Sequence, residues 1–307
     1  MLGWVNAPMS RVRTSTIKVS GPFSLAAAID ALDVLAPHRG DGGAYEGWHL
    51  IGNRPLSIRV RQADPRRLVL SVAGDVVERS DVEAAEELVK RMFGLDLDAE
   101  RFYAEAARDD RVLRRLQTRM LGVRPVTAAT PLAALVFVLL SDEYGPDRAR
   151  VVIGRLGGAE EPEQLASLDH RSDAGRLGLE PATVERLRIL GHRGLTGAFG
   201  ADLLRSMPLA AARNWLAAHA EVGAATADLV LMAGAGRRDV VPQASPHLLA
   251  ALERYYGVAR GEARRRLDEL GQRWGEFASW AVFLLVEAVR RDARGGHVGT
   301  LSAPATT

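Results

Sequence analysis

Residues 216–227 read LAAHAEVGAATA, and residues 228–242 continue with DLVLMAGAGRRDVVP. Apolar residues recur at helical spacing on both sides of this stretch and predict two helices, over residues 209–218 and 224–232. Glu221, Val222 and Gly223 lie between them. So short a connection requires a tight turn, and glycine permits the backbone conformations that tight turns use. The stretch therefore predicts a helical hairpin, with Thr226 close to the start of its second helix.

The rest of the chain divides into two regions of different pattern. Short strand-like runs at residues 16–19, 48–51, 56–61 and 67–72, with helical segments at 25–35 and 82–93, predict a small antiparallel sheet packed against helices. After residue 97 the strand signals largely stop and about a dozen helical segments follow. We therefore predict an α+β chain with an N-terminal α+β domain at 1–98, a helical body at 99–292 and a flexible tail at 293–307.

The composition is that of an ordinary globular protein. The 307 residues are 47% apolar and 25% charged, and none is cysteine, which excludes disulfides, thiolate zinc sites and cysteine nucleophiles. The apolar run at 132–140 is far shorter than the roughly 20 residues of a membrane span, and no signal peptide is recognisable, so we expect a cytoplasmic protein. The formal net charge is +2, and only Lys18 and Lys90 are lysines, so nearly all positive charge is arginine.

Several segments carry a resemblance to one family. Residues 216–242 resemble the pattern L-P-G-[IV]-G-x-W-T-A, an apolar helix and R-x-D-V-F-P that is found in the helix-hairpin-helix DNA glycosylase superfamily. The 3-methyladenine DNA glycosylase II branch is the most similar. Residues 274–285 (WGEFASWAVFLL) resemble its W-x-P-W-R-S-Y-A-A-x-H-L, and residues 110–125 and 130–140 resemble further segments in the same order. The resemblance implies a TBP-like antiparallel sheet domain followed by an all-α glycosylase body.

The resemblance also implies how the hairpin is used. In such proteins the amides of the turn and the N-terminus of the second helix face the phosphates of duplex DNA, usually damaged. The implied DNA contacts here are Val222, Gly223, Ala224 and Thr226. A monovalent cation held by carbonyls of the turn is also implied, whereas we expect no other cofactor, no metal site and no membrane contact, and we expect a monomer. Glu221 stands where the family has its first glycine, and a carboxylate beside a phosphate weakens binding.

The catalytic position departs from the family. Alignment through residues 239–242 (DVVP) places Ser245 where the family carries its catalytic Asp. That carboxylate stabilises the oxocarbenium-like sugar, and the loss of such stabilisation costs several kcal/mol, on the order of 10² or more in rate. Asp239 and Glu143 are the candidate substitutes. Asp142 and Glu143 replace two glutamines of a loop, at residues 141–145, that enters the DNA minor groove in relatives, so both are also candidate DNA contacts.

The expected base pocket is largely aliphatic. Ala225, Leu229, Pro246 and Val286 stand where various relatives have aromatic side chains, and Trp280 on the last long helix is a further candidate lining residue. A flipped base stacks on flat π surfaces, so this pocket would hold a base differently. Ala225 also occupies the position of the Schiff-base lysine of bifunctional relatives. We therefore expect no β-lyase chemistry.

These features leave three functional hypotheses. The first is a monofunctional DNA-repair glycosylase that removes or recognises alkylated purines, whose cationic bases leave as neutral molecules and need less catalytic help. The alternative is a catalytically dead homologue that acts as a DNA- or protein-binding module. The third is a small-molecule or nucleoside hydrolase on the same scaffold.

Overall fold

The computed structural model of the chain describes residues 11–32, 43–52, 54–156, 161–242 and 245–294. Three expected features fall partly or wholly outside these ranges. They are the irregular N-terminus, the last residues of the helix predicted at 25–35, and all but the first residues of the tail predicted at 293–307.

The N-terminal region forms a four-stranded antiparallel sheet with strand order β1-β4-β3-β2. The strands are β1 (Arg11–Lys18), β2 (Ala44–Ile51), β3 (Arg54–Asp64) and β4 (Arg67–Gly74). Every second residue of β3 and β4 points to the same face, and the apolar ones on that face are buried. Helices α1 (Leu25–Leu32) and α2 (Arg79–Met92) contribute their buried residues to the same core. The predicted α+β organisation is confirmed.

Helices make up the rest of the described chain. They are α3 (Ala99–Arg101), α4 (Arg111–Arg119), α5 (Pro131–Tyr144), α6 (Pro146–Leu156), α7 (Pro162–Ala166), α8 (Ser172–Leu177), α9 (Pro181–Leu195), α10 (Ala201–Ser206), α11 (Leu209–Ala220), α12 (Ala224–Ala233), α13 (Pro246–Tyr256), α14 (Ala263–Trp274) and α15 (Ala278–Arg294). Side chains of Asp110, Thr130 and Ser245 cap the first turns of α4, α5 and α13. The predicted helical body is therefore present, with a π-helical turn at Phe102–Ala106.

The helical body has two hydrophobic cores. Helices α5 to α12 surround one, and α3, α4 and α13 to α15 surround the other. Val240 is buried in the first core, whereas Leu248 is buried in the second. Met232 on α12 packs against both cores. Ser245 is buried at the start of α13, one helical turn before Leu248 of the second core.

A buried arginine ties the N-terminal region to the helical body. Arg124 is 0% exposed, and its guanidinium donates hydrogen bonds to the carbonyls of Pro22 (3.0 Å) and Gly94 (3.3 Å). Its guanidinium also lies over the ring of Phe23. Burial lowers the pKa of Arg124. Three backbone carbonyls, including that of Ser20, take the place of a carboxylate partner.

Candidate functional site

The predicted hairpin is present at the expected residues. Helices α11 and α12 meet at an angle of 109°. Helix α11 ends at Ala220, and Gly223 is the N-cap of α12. No side chain caps α12, so its first amide groups are left for solvent or a ligand. Gly223 and Ala224 are exposed, whereas the side chain of Val222 is buried and leaves only its backbone at the turn.

Glu221 holds the turn in a conformation that usually requires glycine. Its φ of 53° and ψ of 45° lie in the left-handed region, and among the described residues it is the one non-glycine residue with positive φ. A Cβ atom makes this conformation unfavourable by roughly 1–2 kcal/mol. The turn therefore keeps the geometry that a glycine would adopt while presenting a carboxylate to solvent.

Two arginines of α9 reach the carbonyl groups of the turn. Arg193 donates to the carbonyl of His219 (Nη1–O 2.7 Å) and pairs with the carboxylate of Glu221 (Nη2–Oε1 3.0 Å). Arg186 donates to the carbonyl of Glu221 (Nη2–O 3.3 Å). Guanidinium groups thus contact turn carbonyls, and the expected monovalent cation stays a prediction. Sequence reasoning missed both arginines because they precede the turn by many residues and carry no local signal.

Ser245 lies at the N-cap of α13, where the alignment places it. The residue is 8% exposed, and its Oγ accepts a hydrogen bond from the amide of Leu248 (3.4 Å). Pro246 begins the helix and is exposed. The hydroxyl is neutral and already engaged with the helix, so Ser245 supplies no charge to a reacting sugar.

One face of α12 is partly open. Ala225, Leu229 and Met232 are each half-buried and follow the i, i+4, i+7 spacing of a single helix face, while most of their neighbours are buried. Val286 on α15 is also half-buried and packs against the second core, to which α13 contributes buried residues. These side chains give the region an aliphatic character, but their grouping around Ser245 stays a prediction.

Trp280 lies in the aromatic part of the second core. It is 3% exposed, and its ring stacks on Phe102 with a centroid distance of 3.9 Å and an interplanar angle of 6°. Tyr103 packs edge-on against it. The ring of Trp280 is therefore buried in this core and has no exposed face on which a base could stack.

The expected loop at residues 141–145 is helical. Helix α5 continues through Tyr144, Gly145 ends it with a φ of 85°, and α6 begins at the next residue. The expectation of a separate groove-entering loop is therefore wrong, because glycine lets two helices join without one. Glu143 accepts a hydrogen bond from Thr183 Oγ1 of α9 (2.7 Å), so its carboxylate is already bonded. Asp142 is exposed.

Asp239 belongs to a tightly held turn. Arg237 donates two hydrogen bonds to its carboxylate, Nε–Oδ1 at 2.9 Å and Nη2–Oδ2 at 2.6 Å, and lowers the pKa of Asp239. Ser279 Oγ donates to the carbonyl of Arg237 and accepts from the amide of Val240. Asp239 also lines a charged cavity of about 570 Å³ next to α2. The arrangement favours a structural role for this carboxylate.

A buried carboxylate that sequence reasoning missed lies inside the hairpin. Asp228 of α12 is 3% exposed and pairs with Arg213 of α11, with an Nε–Oδ1 distance of 2.6 Å. Burial raises the pKa of Asp228, and Arg213 acts in the opposite direction. The pair joins the two helices of the hairpin. An acidic residue within an apolar helix was the available signal.

Comparisons with known proteins agree on the fold. No protein-family model and no curated sequence matches the chain. A 3-methyladenine DNA glycosylase from Archaeoglobus fulgidus has a TM-score of 0.76 and 18% identity, over 90% of this chain and 98% of that one. MBOgg1 in complex with a low-affinity DNA ligand has a TM-score of 0.71 and 17% identity, over 92% and 99%.

A third solved structure extends this likeness. The Clostridium acetobutylicum 8-oxoguanine glycosylase/lyase, bound to duplex DNA with cytosine opposite 8-oxoguanine, has a TM-score of 0.70 and 15% identity, over 93% of this chain and 99% of that one. The chain therefore has the fold of the helix-hairpin-helix DNA glycosylases, as the sequence resemblance predicted.

Proposed function

We propose that this chain is a DNA-repair protein of the glycosylase type that binds duplex DNA through its hairpin and recognises or releases alkylated purines. The observation that carries this proposal is the hairpin itself. Its second helix begins with uncapped amides at an exposed turn, and Met232 of that helix packs against the core to which α13 contributes. The fold shared with DNA glycosylases supports the same assignment.

Phosphate binding follows from the groups at the turn. Amides from Val222 to Thr226 at the start of α12 favour an anion, and the helix dipole adds to the attraction. Arg186 and Arg193 provide guanidinium groups beside the same turn. A phosphate that replaces the Glu221 carboxylate on Arg193 would gain a charge-assisted hydrogen bond. Glu221 competes for that guanidinium, so we expect weak and salt-dependent binding to undamaged duplex.

The proposed chemistry requires little electrostatic stabilisation of the sugar by the protein. A purine methylated at N3 or N7 carries a positive charge. When its N-glycosidic bond breaks, the bonding electrons pass to the base, which leaves neutral. Water then adds to the sugar carbon and loses a proton, and DNA phosphates stabilise the transient sugar cation. A protein that binds the extruded base can thus favour its departure while a neutral Ser245 stands in place of a carboxylate.

A specific observation also favours the second hypothesis, a binding module without catalysis. The Ser245 hydroxyl is 8% exposed and caps α13, so it serves the helix rather than a substrate. Glu143 and Asp239, the two candidate substitutes, are each hydrogen-bonded within the protein. In that case the chain retains lesion recognition and has no base-release activity.

Single-turnover base release distinguishes these two proposals. The substrates are duplexes that contain 3-methyladenine, 7-methylguanine, hypoxanthine or uracil. A glycosylase of the proposed type releases the cationic bases slowly and the neutral bases at no useful rate. Ser245→Asp preserves the N-cap, since Asp and Ser cap helices about equally well, and it should accelerate release. Ser245→Ala should leave the slow rate unchanged.

Three other outcomes would each change these assignments. Rapid release of a neutral base by the unaltered protein would show that another residue supplies the catalytic charge, and Glu143→Gln and Asp239→Asn would then identify it. Lesion binding without release, even by Ser245→Asp, would favour the binding module. Failure to bind any duplex would contradict both proposals.

A further inference from the structure

A group of arginines without partners lies away from the hairpin, on α4, on α14 and just before α4. Each is exposed and forms no ion pair or side-chain hydrogen bond with any described residue. We call them the arginine patch: Arg108, Arg111, Arg115 and Arg273. Most other arginines of the described chain hold a carboxylate or a carbonyl, so this group stands out by its free guanidinium groups.

A buried cluster brings the two parts of the patch together. Asp110 accepts hydrogen bonds from the hydroxyl of Tyr256 (2.7 Å) and from the indole of Trp274 (3.2 Å). Arg111 directly follows Asp110 on α4, and Arg273 directly precedes Trp274 on α14. The patch therefore spans the place where α4, α13 and α14 meet.

Arg266 and Arg273 both lie on α14, the helix whose Trp274 donates a hydrogen bond to Asp110. Burial and Asp110 raise the pKa of Tyr256, whereas the charges of Arg266 and Arg273 act in the opposite direction. Arg266 is already paired with Glu269, which leaves Arg273 as the free cation of the two.

Local charge on α4 is strongly positive. Residues 108–119 contain five arginines and two aspartates, and Asp110 is buried while Asp109 is exposed. Arg111 and Arg115 are one helical turn apart, so their Cβ atoms are about 5–6 Å from each other, and like charges at this spacing repel. An anionic ligand relieves this repulsion. Arginine binds phosphate through two parallel hydrogen bonds, which makes a phosphate backbone a suitable ligand.

The patch and Ser245 lie at opposite ends of α13. Ser245 caps the first residue of α13, and Tyr256 is its last. The 11 residues of that helix span about 16 Å, at about 1.5 Å per residue. We propose that the arginine patch binds the phosphate backbone of a second duplex, so that one molecule bridges two segments of DNA. The bridging, though not the patch contact itself, rests on the proposed function of the hairpin.

A two-duplex capture experiment tests this proposal. An alkylated duplex is immobilised, the protein is bound, and a second, labelled duplex of random sequence is added at low salt. The patch variant is Arg111→Gln/Arg115→Gln/Arg273→Gln. Its control removes the same charge from three exposed arginines elsewhere that also lack partners in the described structure: Arg61→Gln/Arg66→Gln/Arg171→Gln.

The unaltered protein and the control should capture the second duplex. The patch variant should still bind the immobilised duplex but should capture about tenfold less of the second duplex. The slope of log affinity against log salt for the second duplex should fall by about 0.9 for each phosphate that the variant no longer neutralises. Equal capture by the patch variant, or a stoichiometry of one duplex per unaltered protein, would overturn the proposal. The proposal would also be overturned if the patch bound polyglutamate, a different polyanion, but no duplex DNA.

A hairpin variant separates this proposal from the proposed function. Gly223→Asp places a carboxylate at the start of α12 and leaves the patch intact. If the hairpin binds DNA, this variant should bind one duplex, through the patch, without preference for the lesion. If it still binds two duplexes with the lesion preference unchanged, the hairpin assignment fails while the patch contact stands.

Discussion

Replacement of Glu221 by glycine should leave the protein more stable than replacement by alanine. Glu221 adopts φ 53° and ψ 45°, which glycine reaches without a Cβ clash. Its side chain is 72% exposed and that of Arg193 is 34% exposed, so their ion pair contributes little, about 0–1 kcal/mol in water. The relevant comparison is therefore Glu221→Gly against Glu221→Ala, because both variants lose the ion pair equally.

The difference between these two variants follows from the backbone. Alanine retains the unfavourable left-handed conformation, which costs roughly 1–2 kcal/mol. Glycine avoids that cost but gives the unfolded chain more freedom, which offsets about 0.4–1 kcal/mol. We expect the glycine variant to exceed the alanine variant by about 1 kcal/mol in free energy of unfolding. Both variants should bind duplex DNA more tightly, since both remove the carboxylate from the turn and free Arg193.

Urea denaturation measures the difference in free energy of unfolding between the two variants. The denaturation midpoints are compared with one common slope of free energy against urea concentration. Titration of a labelled duplex measures the second. A glycine variant no more stable than the alanine variant would show that the turn at residue 221 is not strained. Unchanged DNA affinity in both variants would show that Glu221 does not face the phosphates.

Three further outcomes are expected. Duplex affinity should be higher in potassium chloride than in tetramethylammonium chloride, because the carbonyls of the turn are expected to hold a small monovalent cation; equal affinity in the two salts would contradict the cation site. Ser245→Ala should lower the free energy of unfolding by about 0.5–1 kcal/mol in urea titrations, the lower part of the N-cap range, because the Oγ–N distance is long at 3.4 Å. Burial and Asp292 raise the pKa of Tyr255 to about 12 from 10.0 in the unfolded chain, so stability should fall as pH rises from 10 to 12. Tyr255→Phe should make that fall shallower, and an unchanged fall would contradict the assignment.

The sequence predicted those features that depend on local pattern. The hairpin follows from apolar periodicity on both sides of a short turn with Gly223. The position of Ser245 follows from the alignment through residues 239–242, and Pro246 beside it is a favoured first residue of a helix. Such signals are contained within one or two helical turns of chain, so a single sequence is sufficient to find them.

The features that were missed or misplaced depend on distant contacts. Arg186 and Arg193 reach the turn only because α9 packs near the hairpin, and nothing in their own sequence indicates it. Residues 141–145 match a family loop by alignment, but Asp142 and Glu143 continue α5, and Glu143 bonds to Thr183 of α9. Tertiary packing decided the conformation of that segment.

The most direct test of the central proposal is the lesion preference of Gly223→Asp. Gly223 has a φ of −72°, and a Cβ built there meets no atom within 4 Å, so the substitution fits the fold. Asp is a favoured N-cap whose carboxylate accepts the amide hydrogens that a phosphate would use. We expect unchanged or slightly higher stability, because Asp caps the helix. The preference for alkylated over undamaged duplex should fall at least about tenfold, because two close anions repel and a duplex that is no longer held at the hairpin does not present its lesion to the protein. Gly223→Asn, which caps without charge, should lose less. A lesion preference that survives Gly223→Asp would contradict the assignment of the hairpin as the DNA-binding site.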